Sequence, residues 1–231
     1  MIEKDIQELL FSLRDEKYRE FNAKLIPTVP INRMIGVKTP ELRKIADKIM
    51  KTDNEEAFLS ELPHTYYEEN NIHAIIIGKT KAPIVCLNRV NSFLPYIDNW
   101  ATCDILRPKA LCKDSNQFLS SIGEWINSDR CFTVRFGMEM LMTYFLDEKY
   151  DISQSELVAS ADCREYYVSM MAAWYFATAL AKQYDKTLPF LEKRKLDTYT
   201  HNRTISKCCE SFRISAAQKK YLRTLKISML K

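Results

Sequence analysis

A chain of 231 residues, 46% apolar and 28% charged, is long enough for one large domain or two small ones with a sizeable core. Only four residues are glycine, which tight hairpins and phosphate-cradling loops require, so the composition argues against a sheet-rich or nucleotide-loop protein and predicts an all-α fold. The net charge of +4 is uneven: from Lys186 to Lys231 there are twelve Lys and Arg against three acids, which points to an anionic partner such as nucleic acid, or to a solvated helical face.

The N-terminus, MIEKDIQELLFSL, carries acids within its apolar pattern, and this predicts a helix over residues 2–13 rather than a signal peptide. Its apolar stripe is Ile2, Ile6, Leu9, Leu10 and Leu13. A second helix runs from about Asp15 to Lys24 and must stop before IPTVP, because Pro27 and Pro30 cannot sit inside a helix. After Gly36, Thr39 is the expected N-cap and Pro40 the first helical residue of KTPELRKIADKIM. Helices follow near 53–61, 66–80, 82–95, 98–112, 115–127, 130–146, 153–160, 163–183, 186–197, 200–212 and 215–227. The last opens with Ser215 and Gln218 in capping-box spacing.

Long, almost wholly apolar helices recur near 66–80, 98–112, 130–146 and 163–183, each followed by a shorter amphipathic partner. A spacing of about 32 to 34 residues predicts a solenoid of stacked antiparallel helix pairs with a concave inner wall. No Gly- or Ser-rich linker divides the chain, so residues 1–231 are expected to form a single domain. No run of about 18 apolar residues is present, and no membrane partner is expected. The seven cysteines contain no C-x-x-C pair and the three histidines are scattered, so neither a zinc nor an iron–sulfur site is expected. Free buried thiols in a reducing cytoplasm are the simple expectation.

Some residues sit awkwardly on their helices. Arg135 lies in the apolar stripe of RCFTVRFGMEMLMTYFL, formed by Cys131, Val134, Met138, Met142 and Phe145. It needs either an acid on a neighbouring helix or a phosphate in a groove. Asp104, flanked by Cys103, Ile105 and Leu106, is either paired with Arg135 or Lys109, or is a site residue. Trp100 shares its helix face with Asp104, being four residues away. Trp174 lies on a face with Tyr167, Met170, Met171 and Thr178, and Trp100, Arg135 and Trp174 take similar depths in successive inner helices. Taken alone, either Trp also fits a core role, and Trp125, on an outer helix, is assigned to the core. His64, His73 and His201 have no catalytic companion.

Five stretches, IGVKTPELRKIA (35–46), NWATCD (99–104), RCFTVRFGMEML (130–141), YYVSMMAAWYFATALAK (166–182) and HNRTISKCCESFRI (201–214), resemble in order and spacing the AlkD-type HEAT-like-repeat DNA glycosylases, the DNA alkylation repair proteins. The resemblance implies a right-handed α-solenoid of HEAT-like, armadillo-type repeats with a concave basic cleft. It implies that Trp100, Asp104, Arg135 and Trp174 line that cleft as catalytic residues, with Arg203, Lys207, Arg213 and Lys109 holding DNA. A purine alkylated at N3 or N7 is cationic and departs as a neutral base, so the task left is to stabilise positive charge developing on the sugar. Asp104 would do so and position water at C1′, with Trp100 and Trp174 walling the deoxyribose. No lysine occupies the catalytic pattern, which implies a monofunctional enzyme. The family engages the lesion through the DNA backbone without extruding the base, unlike most base-modifying enzymes.

The implied partner is double-stranded DNA with alkylated purines, bound by a cytoplasmic, nucleoid-associated monomer with no cofactor and no metal. Two features depart from the pattern: Ala101 follows Trp100, and KLIPTVPINRMIG (24–36) stands where family members have a helix that grips DNA, which resembles a branch with an altered N-terminal segment. The alternatives are a repeat protein that binds damaged or distorted DNA without excising bases, and a protein-interaction scaffold with a structural Asp104–Arg135 pair.

Overall fold

The structure is a computed structural model that describes residues 2–228. Met1 and residues 229–231, Lys231 of the basic end among them, lie outside the described residues, as does the side chain of Ile2 in the first apolar stripe. Among the described residues the chain is helical, with no strand, as the glycine-poor composition predicts. Also among them, no helix is long and apolar enough to cross a membrane.

The chain forms two compact units, Met1–Gln117 and Phe118–Lys231. The first holds α1 (Ile2–Ser12), α2 (Glu16–Leu25), α3 (Thr39–Ile49), α4 (Glu55–Ser60), α5 (Tyr67–Lys79), α6 (Pro83–Phe93) and α7 (Trp100–Ile105), with α8 (Ser115–Ile126) starting at its end. The second holds α9 (Cys131–Tyr144), α10 (Ile152–Ser160), α11 (Tyr166–Lys182), α12 (Tyr184–Glu192), α13 (Thr198–Glu210) and α14 (Ala216–Thr224). In the first unit α5 packs between α3 and α7, and in the second α11 packs between α9 and α13. These are the inner rows, and the shorter helices complete the pairs.

The repeat is visible in the hydrogen bonds. Arg33 bonds the Thr65 carbonyl, Thr102 bonds Asn71, Lys113 bonds the Lys81 carbonyl, Arg135 bonds the Tyr167 carbonyl and Lys182 bonds Asp147, all pairs 31–35 residues apart. Within each unit, neighbouring repeats are thus tied by polar groups as well as by apolar packing.

The inner helices are less apolar than their sequence period implies. On α5 the side chains of Glu68, Glu69, Asn70, Asn71 and His73 are all buried. Glu68 is satisfied by main-chain donors: its carboxylate accepts the N–H groups of Ile35 at 2.9 Å, Gly36 at 2.6 Å and Val37 at 3.3 Å. Gly36 can present its amide this way because its φ is +98°, and a Cβ there would meet the Asp15 carbonyl oxygen at 2.6 Å. The expected break at IPTVP is present, and Asp15 caps α2 by accepting the Tyr18 N–H.

Several predicted boundaries are corrected. The helix expected over 98–112 is α7, six residues long, followed by a 3-10 turn at Lys109–Lys113. Pro108 has no N–H and disfavours helical geometry at Arg107, so the apolar run cannot continue. Lys38, not Thr39, is the N-cap of α3. The helix expected from 163 starts at Tyr166, because Asp162 accepts the Arg164 N–H and folds the preceding residues into a turn that leaves Cys163 outside. The helix expected over 186–197 is α12, closed before Arg194, which has φ +50°. The capping box at Ser215 and Gln218 is present as predicted. The seven cysteines form no disulfide, but only Cys86, Cys103 and Cys208 are buried. Trp125 is core, 5% exposed, between Phe118 and Phe136.

A buried histidine pair sits in the first unit. His64 Nε2 and His73 Nδ1 lie 2.9 Å apart, one donating and the other accepting, with His64 stacked on Phe58 and His73 on Phe93. Burial lowers His64 to about 4 and His73 well below the usual imidazole range. Both are therefore neutral in the folded protein where the unfolded chain already takes up protons, and stability falls as pH drops from about 6.5 towards 4. Urea unfolding should lose about 3 kcal/mol over that interval from His64 alone. A stability unchanged between pH 7 and 4.5 would contradict this.

Candidate functional site

In the first unit the sequence-nominated residues sit on α7. Asn99 starts this helix by accepting the Thr102 N–H at 2.8 Å, and the Thr102 hydroxyl donates to Asn71 of α5 at 2.8 Å. The start of α7 is thereby fixed to the inner row. Trp100 occupies its first position and Asp104 follows one turn later on the same face, both half-buried. The Trp100 indole N–H donates to the Leu25 carbonyl, the last of α2, at 3.0 Å. Its ring packs against the cluster of Ile26, Val29, Met34 and Tyr67. The proline-containing segment therefore seats directly against this tryptophan. Arg33, from the same segment, pairs with Asp98 at 2.9 Å just before α7. Lys109 is exposed on the 3-10 turn beyond Pro108 and is not carried on α7.

In the second unit α9, α11 and α13 bring four of the nominated residues into one neighbourhood. Trp174, on α11, is 38% exposed, unlike Ala173 and Tyr175 beside it, which are buried. With Lys207, Arg213, Thr178 and Glu210 it lines a cavity of about 230 Å³. Arg203 lies one turn before Lys207 on α13. Burial, and then the positive charges of Arg203 and Arg135, lower the Lys207 ammonium below the usual lysine range, against an opposing pull from Glu210. Among the described residues, Arg203, Lys207 and Arg213 form no ion pair, whereas Lys182 on α11 is paired with Asp147 at 2.6 Å.

Arg135 is 4% exposed on α9, and one of its contacts is the Tyr167 carbonyl at 3.5 Å. Glu139, one turn further along α9, is also buried. Phe132, Tyr166 and Tyr167 form an aromatic group next to it, with ring centroids 5.2 and 5.1 Å apart. A larger hollow of about 790 Å³ between the loops at 127–131 and 160–165 is walled by Asp129, Asp162 and Glu165, with Arg164 paired to Asp162, so its lining is acidic on balance. An acidic wall repels a polyanion, so the cationic cavity beside Trp174 is the anion-seeking feature of this unit.

Sequence reasoning missed Glu68 and Glu139, although charged residues within apolar helices were the available signal. It also missed the exposed aromatics Tyr166 and Phe212, for which no period or spacing gives a signal. Buried carboxylates and main-chain donors account for the first unit's polar interior, while exposed indole and unpaired cations make the second unit's surface fit for an anion with flat apolar groups.

Comparison with curated proteins finds no significant match. Residues 6–209 match the family described as DNA alkylation repair enzyme. A match over most of its length makes this chain a member of the DNA alkylation repair enzyme family.

Proposed function

We propose that the protein is a monofunctional DNA glycosylase that hydrolyses the N-glycosidic bond of cationic N3- and N7-alkylated purines in duplex DNA. The observation that carries this is an accessible indole, Trp174, beside unpaired cations in a chain of the DNA alkylation repair enzyme family. In this proposal the protein acts as a cytoplasmic monomer on double-stranded DNA. Arg203, Lys207, Arg213 and Lys109 take phosphates, and Arg135 adds a buried positive charge to the field at Lys207.

The chemistry asks little of the protein. The alkylated base already carries positive charge, so the C1′–N bond breaks with its electron pair leaving on a neutral purine. Positive charge moves to the sugar, where the Asp104 carboxylate stabilises it and orients water. Water oxygen bonds C1′, and its proton passes to the carboxylate or to solvent. Trp100, one turn from Asp104 on the same helix face, presents its ring to the cationic sugar, and Trp174 offers an exposed indole to the duplex. No nucleophilic lysine is required, and the strand stays intact.

A second assignment, binding to damaged or distorted duplex without excision, is favoured by one contact. The Trp100 indole N–H is occupied by the Leu25 carbonyl, and the ring is braced by the altered N-terminal segment. That contact commits the ring to the protein's own N-terminal segment, which suits a fixed recognition surface.

Incubation with methylated duplex should release 7-methylguanine or 3-methyladenine, and Asp104→Asn should slow release by about 100-fold with the fold intact. Tight, salt-sensitive binding without release would instead establish the second assignment. Lys207→Ala should weaken duplex binding and lessen the slope of log affinity against log salt by about one. Trp125→Ala should lower the melting temperature and leave the affinity of the folded fraction unchanged. Equal loss of binding in both variants would mean that the cationic cavity has no special part.

A further inference from the structure

Phe212 is the most exposed large apolar side chain among the described residues, fully open to solvent. A single exposed apolar residue needs no explanation by itself. This one is set apart by how it is held and by what surrounds it. It sits in the short connection between α13 and α14, and both flanks of that connection are fixed. The Ser211 N–H donates to the carbonyls of Lys207 and Cys208, and the Ser211 hydroxyl accepts the Arg213 N–H at 3.2 Å. Ile214 is buried, and the Ser215 hydroxyl caps α14 by accepting the Gln218 N–H at 3.2 Å. The connection thus presents the ring outwards while its neighbours are anchored, so little ordering remains to be done on binding.

The residues on either side of it, Ser211 and Arg213, line the cavity that also holds Trp174 and Lys207. An outward ring flanked by cations that lack acidic partners matches a ligand with alternating apolar faces and negative charge. An acidic peptide covers the ring only where an apolar side chain happens to fall beside its charges. Nucleic acid supplies both at a fixed repeat, since every nucleotide carries a phosphate and a flat base. Glu210, on the same wall, repels phosphate from its own side and leaves Arg213 and Lys207 as the points of contact.

We propose that Phe212 is a wedge that enters duplex DNA and sets its ring against a base step, while Arg213 and Lys207 hold the adjacent phosphates. This deepens the reading of the protein as a duplex-binding repair protein and rests on it. Apolar wedges of this kind partly unstack a step and kink the duplex, and they favour steps already weakened by damage.

The test uses the full chain and a duplex containing 2-aminopurine, whose fluorescence rises when it unstacks. Binding of the unaltered protein should raise the fluorescence. Phe212→Ala should bind about tenfold more weakly with an unchanged salt slope, because no phosphate contact is lost, and should abolish the fluorescence rise even at saturation. Phe212→Trp should retain both. Arg213→Ala should lose about one from the salt slope and keep the fluorescence rise at saturation. Phe212→Ala with the affinity and fluorescence of the unaltered protein would overturn the wedge and leave duplex binding standing. Failure of the unaltered protein to bind duplex at all would overturn both.

Discussion

The fold depends on placing charges inside its long helices and tying them to the main chain of a neighbouring repeat. Glu68 on α5 takes three amide N–H groups from residues 35–37, and Arg135 on α9 reaches the carbonyl of Tyr167 on α11. A buried charge costs several kcal/mol when left uncompensated, so each such contact fixes the register between neighbouring helix pairs more sharply than apolar packing alone. Sliding one pair by a single turn would strand a carboxylate or a guanidinium. The same constraint explains the unusual conformation of Gly36, the one residue type that can turn its amide toward Glu68 without meeting the Asp15 carbonyl.

Function grows out of that rigidity. Arg135 is buried on α9, and its charge is part of the field felt on α13, where Lys207 is held below the ordinary lysine range by burial, Arg203 and Arg135. A phosphate arriving there would relieve both the repulsion and the desolvation, which makes the site more receptive to an anion than an isolated surface lysine. In the other unit the anchoring is of a different kind. Trp100 is braced by α2 and by the proline-containing segment, and Asn99 and Thr102 fix the start of its helix to α5. Substitution in the N-terminal segment therefore reaches a candidate site residue through one hydrogen bond and one apolar cluster.

Much of the fold was legible in the sequence because helical period, proline and caps act locally. The break at IPTVP, the capping box at Ser215 and the core position of Trp125 follow from neighbours within a few residues. The interior polarity of α5 was not legible in that way. Glu68 and Asn71 are satisfied by groups about 31 to 33 residues distant, and no local pattern announces such partners. Pro108 was visible, but a long apolar run outweighed it, and the predicted helix over 98–112 was too long. For the site, Asp104 and Arg135 stood out as charges on apolar helices. Trp174 alone fitted a core role; its register with Trp100 and Arg135 and then the family resemblance marked it, and its exposure separates it from Trp125. Phe212 carried no signal at all, because exposure of one loop residue is decided by where its neighbours are anchored.

The central claim is that the Asp104 carboxylate meets a sugar bearing positive charge. Duplexes in which one deoxyribose is replaced by a cationic pyrrolidine, or by its neutral tetrahydrofuran counterpart, measure this without requiring turnover. The unaltered protein is predicted to bind the cationic duplex at least about tenfold more tightly than the neutral one, and Asp104→Asn to bind the two alike. Equal affinity of the unaltered protein for both duplexes, or a cationic preference that survives in Asp104→Asn, would contradict the account.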